Sequence, residues 1–113
     1  MVNKQSAPDR GDYVWLDFSP TRGREQSGKR PGLVISRKIY NAQSGLAIVC
    51  PITSQEKQYP FEVPTNHESV RGVVLTDQLQ CIDWVTRKPK FIARASEDTL
   101  NRVNEKMKAL VLG

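Results

Sequence analysis

The chain has 113 residues, enough for one domain with a modest core and too few for two. Lys and Arg number 17 against 12 Asp and Glu, a formal net charge of +5, so a polyanionic partner is expected, nucleic acid first and an acidic protein second. Hydrophobic residues make up 38%, which argues for a folded chain, while no apolar run approaches the ~20 residues that cross a bilayer and residues 1–11 lack the apolar stretch of a secretion signal; no membrane partner and a cytoplasmic location are expected.

Residues 1–11 read as a flexible arm that ends in a turn at Asp9-Arg10-Gly11. Residues 12–18 alternate: Tyr13, Trp15 and Asp17 fall on one side, Val14, Leu16 and Phe18 on the other, the pattern of a half-buried strand. After Ser19-Pro20-Thr21 comes Gly23-Arg24-Glu25-Gln26-Ser27-Gly28-Lys29-Arg30-Pro31-Gly32, set between two apolar runs. It reads as a long loop joining two strands, and such loops often carry function. Arg24, Lys29 and Arg30 give it a positive field. Glu25 breaks that pattern, and a carboxylate among guanidinium groups implies an internal ion pair or proton-transfer chemistry.

Pro31 opens a second strand over residues 32–37, and residues 40–45 form a connection with Asn41 and Gly45 as turn residues. Residues 46–52 are nearly all apolar and predict a buried central strand ending near Pro51-Ile52-Thr53-Ser54. Residues 60–64, framed by prolines, suit a sheet edge. A polar turn follows with His67, the single histidine, read as a surface residue. Strands are predicted over residues 72–76 and 79–85, a basic turn over 86–90, and a short extended piece over 91–93. Trp15 and Trp84 are read as core or dimer-interface residues. Cys50 and Cys81 sit in apolar runs and are expected to be buried and reduced. Ser96 is placed to cap the one clear helix, whose apolar face is Leu100, Val103, Met107, Leu110 and Val111 and which Gly113 ends. The fold class is therefore mainly β with a C-terminal helix: a small, twisted antiparallel sheet or barrel.

Elimination narrows the chemistry. One histidine cannot make a two-histidine acid–base pair. No Gly-Lys-Ser or Gly-Lys-Thr nucleotide loop is present, and neither the cysteines nor the carboxylates show metal-binding spacing, so no metal and no cofactor are expected. What remains is a phosphodiester handled by Arg, Thr, Glu and backbone donors. RNA carries its own nucleophile, the 2′-hydroxyl, so an enzyme cutting it need only align, deprotonate and stabilise. Arg30, constrained by Pro31, and Thr53, at the end of the buried strand, are the rigid candidates.

These residues resemble the MazF/PemK toxins of bacterial toxin–antitoxin systems. The resemblance is carried by Gly11-Asp12, Trp15-Leu16-Asp17-Phe18-Ser19-Pro20, the gapless string from Gly23 to Pro31, Pro51-Ile52-Thr53-Ser54, Tyr59-Pro60-Phe61-Glu62-Val63 and Gly72-Val73-Val74-Leu75-Thr76-Asp77-Gln78. It is nearest the MazF branch through residues 57–63. It implies an SH3-like barrel with a C-terminal helix, acting as a homodimer. It also implies a metal-independent, sequence-specific endoribonuclease that cuts single-stranded RNA, mostly messenger, leaving a 2′,3′-cyclic phosphate and a 5′-hydroxyl, blocked by an antitoxin with an acidic C-terminal tail. By the same resemblance Arg30 is the catalytic arginine, Thr53 the threonine that stabilises the phosphate, and Glu25 the loop carboxylate linked to activity. Arg24, Gln26, Ser27, Lys29, Asn41, Ser54, Gln58, Asp77, Gln78 and Asp83 are the RNA-contact candidates. Leu75 stands where some members have an arginine paired with the Asp77 position, so that second catalytic pair is incomplete. Two rivals are a non-enzymatic gyrase poison of the CcdB kind, disfavoured because the last five residues hold no aromatic, and a plain SH3-like RNA-binding module.

Overall fold

The computed structural model describes residues 7–19 and 28–113. Seven strands and three α-helices follow in the order β1 (Asp12–Asp17), β2 (Lys29–Val34), α1 (Lys38–Ser44), β3 (Leu46–Thr53), β4 (Glu62–Pro64), β5 (Val73–Leu75), β6 (Gln80–Asp83), α2 (Trp84–Arg87), β7 (Lys90–Arg94) and α3 (Glu97–Val111), with a 3-10 turn at Thr76–Gln78. All pairings are antiparallel. The path β4-β5-β3-β2-β1-β7 runs edge to edge without closing, and β6 pairs β3 off that path. The result is an open mainly-β sheet with a C-terminal helix rather than a closed barrel.

β3 is the longest strand and the only described one that serves three partners. Each strand has two hydrogen-bonding edges. β2 takes one edge of β3 through Gly32↔Pro51 to Val34↔Val49. β6 takes the first half of the other edge, Leu46↔Asp83 to Val49↔Gln80, and β5 takes its end, Ile52↔Val74 and Thr53↔Val73. A strand covered on both edges and both faces reads as a continuous apolar run, and Leu46–Thr53 does.

Both faces of the sheet carry a core. Val14, Leu16, Phe18, Val34, Val49, Ile82 and Trp84 fill one. Tyr13, Leu33, Cys50, Ile52, Val63, Leu100 and Val103 fill the other, under α3. This corrects the simple alternation expected for β1: Tyr13 is fully buried, because α3 and the β4–β5 hairpin cover its face. Its hydroxyl donates to the Thr65 carbonyl (3.1 Å), and burial raises its pKa. His67 stacks edge-on against the same ring, so it is half-buried rather than a free surface residue. Trp15 is 44% exposed and lies outside both cores, whereas Trp84 is buried and donates its Nε1–H to the Asn41 carbonyl. Cys50 is buried as expected. Cys81 is exposed: alternation along β6 puts it with Leu79 and Asp83 on the outer side, opposite buried Ile82.

Two helices stand where connections or strand were expected. Residues 40–44 belong to α1, with Gly45 its left-handed C-cap, and Trp84 and Val85 turn into α2, capped by the Asp83 carboxylate accepting from Thr86 N–H. α3 begins as expected, with Ser96 accepting from Thr99 N–H and Glu97 and Asp98 in the first turn. It ends at Val111, and Leu110, Val111 and Leu112 are exposed, so the apolar face is buried only over its first half. The arm expected at residues 1–11 is anchored where it is described: Ala7 joins a core cluster, and Gly11 N–H donates to the Val34 carbonyl.

Candidate functional site

The strand registers set Arg30 and Thr53 on one face of two neighbouring strands. Leu16↔Arg30 fixes Arg30 on the face of Leu16, a core residue. The β2–β3 register ends at Gly32↔Pro51; continued by two residues on each strand, it sets Arg30 opposite Thr53. Opposed residues of an antiparallel pair have side chains on the same face, with Cβ atoms roughly 5 Å apart. Arg30 is half-buried and Thr53 is 8% exposed. A guanidinium and a hydroxyl so placed have the reach and the donors to grip one phosphate.

Thr53 is held from behind. Gly72 has φ +140°, and a Cβ there would lie 2.2 Å from the Thr53 carbonyl oxygen. Only glycine lets the β4–β5 turn approach that closely. The Gly72 carbonyl in turn accepts from Thr65 N–H (3.0 Å). The Thr53 hydroxyl accepts from Gln55 N–H (3.1 Å), a local turn that leaves its own proton able to donate. Gly32, between the two candidates, packs just as tightly: a Cβ there would meet Val49 at 2.7 Å and Phe18 at 2.8 Å.

The base of the loop that follows β1 is stapled from both sides. Phe18 N–H donates to the Gly28 carbonyl (3.0 Å) and Gly28 N–H to the Ser19 hydroxyl (3.1 Å). The Arg87 guanidinium donates to the Asp17 and Ser19 carbonyls. Ser19 N–H and hydroxyl, with Lys29 and Arg87 nearby, hold the Asp17 carboxyl below its ordinary pKa. Glu25, Arg24, Gln26 and Ser27 lie outside the described residues. Lys29 is exposed opposite Asp17 and helps line a cavity of about 170 Å³ with Trp15, Arg87, Lys88 and Lys90, an aromatic ring among cations next to Arg30.

The other candidates separate into two groups. Ser54 and Gln58 are exposed on the segment between β3 and β4, with Gln58 in a left-handed conformation (φ 56°). That segment is shaped by Glu62, whose carboxylate accepts from Lys57 and Tyr59 N–H (3.2 Å each). Asp77 and Gln78 sit in the 3-10 turn, anchored because Thr76 donates twice to the Phe61 carbonyl. Burial, with the Asp77 charge second, pushes the Cys50 thiol up to about 12. Asn41 and Asp83 do not belong there. Asn41 is fully buried: its Nδ2 donates to the Pro8 and Ser36 carbonyls and its Oδ1 accepts from the Ser36 hydroxyl, so its capacity is spent inside the fold. Asp83 is the cap of α2, its carboxyl held below the ordinary pKa first by Thr86 N–H, and it pairs with Leu46 at the opposite end of β3 from Thr53, ~23 Å away along the strand. Glu62, Gly72 and Arg87 were not singled out by sequence as site-shaping residues. Their roles depend on which backbone groups a loop turns toward them, and no short pattern encodes that.

Among the described residues no three His, Cys, Asp or Glu side chains converge as metal ligands, and no helix is long and apolar enough to cross a membrane. The family of PemK-like, MazF-like toxins of type II toxin–antitoxin systems matches residues 9–111. The endoribonuclease toxin MazF of Escherichia coli K12 is 38% identical over 104 residues, covering 92% of this chain and 94% of that protein. The endoribonuclease EndoA of Bacillus subtilis is 33% identical over 85% of this chain and 87% of its own. Among solved structures, MazF from Deinococcus radiodurans superposes with a TM-score of 0.89 at 44% identity, covering 95% of this chain and 98% of that one, and a MazE–MazF complex from the same organism with a TM-score of 0.82 at 45% identity, covering 93% and 96%. The fold, the loop string and the strand ends that carry Arg30 and Thr53 thus belong together, and the chain is a member of the PemK-like, MazF-like toxin family of type II toxin–antitoxin systems.

Proposed function

We propose that this chain is an endoribonuclease toxin that cuts single-stranded RNA at specific sequences without a metal ion. The observation that carries the reading is the register that brings Arg30 and Thr53 to one face at neighbouring strand ends. The ribose 2′-oxygen attacks the adjacent phosphorus, the bond to the 5′-oxygen breaks, and the products are a 2′,3′-cyclic phosphate and a 5′-hydroxyl. The Arg30 fork and the Thr53 hydroxyl donate to the non-bridging oxygens as charge builds on them. A guanidinium has five donors and no acceptor, so the 2′-hydroxyl proton goes to the Glu25 carboxylate, and a solvent water gives a proton to the leaving 5′-oxygen, its hydroxide later taking up the proton from Glu25. The cations Lys29, Arg87, Lys88 and Lys90 around Trp15 supply backbone contact and stacking.

The protein works in the cytoplasm as a homodimer. The exposed apolar end of α3, with Val111 72% and Leu112 80% accessible, supports a surface that a second copy covers. The net charge of +5 and the relatives solved with an antitoxin support an antitoxin with an acidic C-terminal tail that competes with RNA. The test is incubation of the antitoxin-free protein with long transcripts in excess EDTA, with the new ends identified by mass. Cyclic phosphate and 5′-hydroxyl ends are expected, and Arg30→Ala abolishes them. Absence of cutting across varied sequences, or cutting restored only by a divalent metal, overturns the reading.

A further inference from the structure

We infer that Gln80 is a base-reading residue of this enzyme, an inference that rests on the ribonuclease reading above. Gln80 opens β6 and pairs with Val49. Val49 pairs with Val34, and Pro51 and Thr53 follow Val49 on the same face of β3 by the twofold period of a strand. Gln80, Thr53 and Arg30 therefore share one face of the sheet. Gln80 lies four residues of β3 from Thr53, ~13 Å along the strand, so the base it meets is a neighbour of the scissile linkage and not the one that is cut.

Gln80 sits where an apolar residue would be easier to place. Its face of β6 continues with Ile82, and Trp84 follows at the start of α2, both core residues. Among the described residues its Nε2 is the one buried side-chain polar atom without a hydrogen-bond partner. A buried donor left unpaired is costly, and native structures keep few of them. A glutamine held on the catalytic face with its donor unspent is explained by an acceptor that arrives with the ligand. The amide offers a donor beside an acceptor, and of the base edges with the complement the proposal takes adenine, with N7 accepting and N6 donating. Single-stranded RNA presents that edge because it is not enclosed in the deep, narrow major groove of an A-form duplex.

The test sequences the cut sites of wild type, Gln80→Met and Gln80→Glu on a long transcript, with urea denaturation run in parallel. Wild type is expected to show an adenine preference at one position beside the cut. Met removes both hydrogen-bonding groups and Glu removes the donor, so each variant flattens that preference roughly tenfold. An unchanged profile in both variants, or no adenine preference in wild type, overturns this inference alone. Loss of folding in both makes the amide a structural group and also overturns it. A wild-type protein that cuts nothing brings down the ribonuclease reading, and this inference with it.

Discussion

Gly72→Ala perturbs the candidate site without replacing any of its proposed RNA-contacting residues. The added Cβ would stand 2.2 Å from the Thr53 carbonyl oxygen and 2.9 Å from its carbonyl carbon, against an ordinary contact of about 3.5 Å, so the two backbones must part by about 1 Å. The φ of +140° adds strain of roughly 1–3 kcal/mol for a side chain, and the overpacking a further ~1–3 kcal/mol. The sum is a large part of the ~5–15 kcal/mol that holds a small domain together. Urea unfolding should show a loss of roughly 2–6 kcal/mol at constant slope. The molecules that still fold should cut RNA ~100-fold more slowly, since a shift of about 1 Å in a positioned group has that effect. Gly28→Ala is the control: its φ is +79° but nothing lies within 4 Å of the added Cβ, so only the backbone term of about 1–2 kcal/mol applies. If Gly72→Ala unfolds within 0.5 kcal/mol of wild type (about the error of the method) and cuts normally, the close approach does not set Thr53. Equal losses from the two substitutions would refute the argument as well.

Thr53→Val keeps the shape of a residue whose hydroxyl makes one local bond; its unfolding midpoint should stay near wild type while single-turnover cleavage falls roughly 10²–10³-fold. Asn41→Ala should do the reverse, lowering stability by roughly 2–4 kcal/mol because buried carbonyls of Pro8 and Ser36 lose their donor, with the cut-site profile of the folded fraction unchanged. A thiol reagent should modify Cys81 in the native protein and Cys50 only after unfolding. Burial raises the Cys50 pKa to about 12, while an unfolded thiol ionises near ~8.5. Between those values the unfolded chain has lost the proton and the native chain keeps it, so stability falls with rising pH by ~1.4 kcal/mol per unit; denaturation of Cys50→Ala across that window should lack this slope.

Much of the sheet was legible because burial is periodic. The run at residues 46–52 could only be a strand covered on both faces, and Ser96-Glu97-Asp98 before Leu100 and Val103 could only open a helix. What the pattern hid has physical causes. α1 has no side-chain cap, no acidic first turn, and buries only Asn41 and Ala42, so it gives almost no periodic signal; it forms because Asn41 is bonded to three other segments. α2 is a single turn inside an apolar run, and only the Asp83–Thr86 spacing marks it. Tyr13 looked outward because a strand with a core on each face breaks simple alternation, and Cys81 was placed by residue type when its position along β6 puts it outside. Asn41 and Asp83 were reasonable polar candidates in sequence. Each turned out to be a hydrogen-bonding hub or cap, because polar groups near folded backbone are commonly used there.

The site itself was visible as residue types and invisible as geometry, and β3 shows why. One of its edges pairs with β2 from Val49 to Pro51, while the other passes from β6 to β5 between Val49 and Ile52. At that handover the strand must satisfy three neighbours with one backbone, which fixes its end more firmly than a loop could. Thr53 is the last residue of that strand, paired with Val73 and backed by Gly72, and β2 delivers Arg30 to the same place from the opposite edge. The described half of the candidate site is therefore built by strand register, and Gly28, Ser19 and Arg87 staple the two described ends that flank residues 20–27. On the proposed reading, the phosphate grip of Arg30 and Thr53 is then set when the sheet forms, by register rather than by a loop.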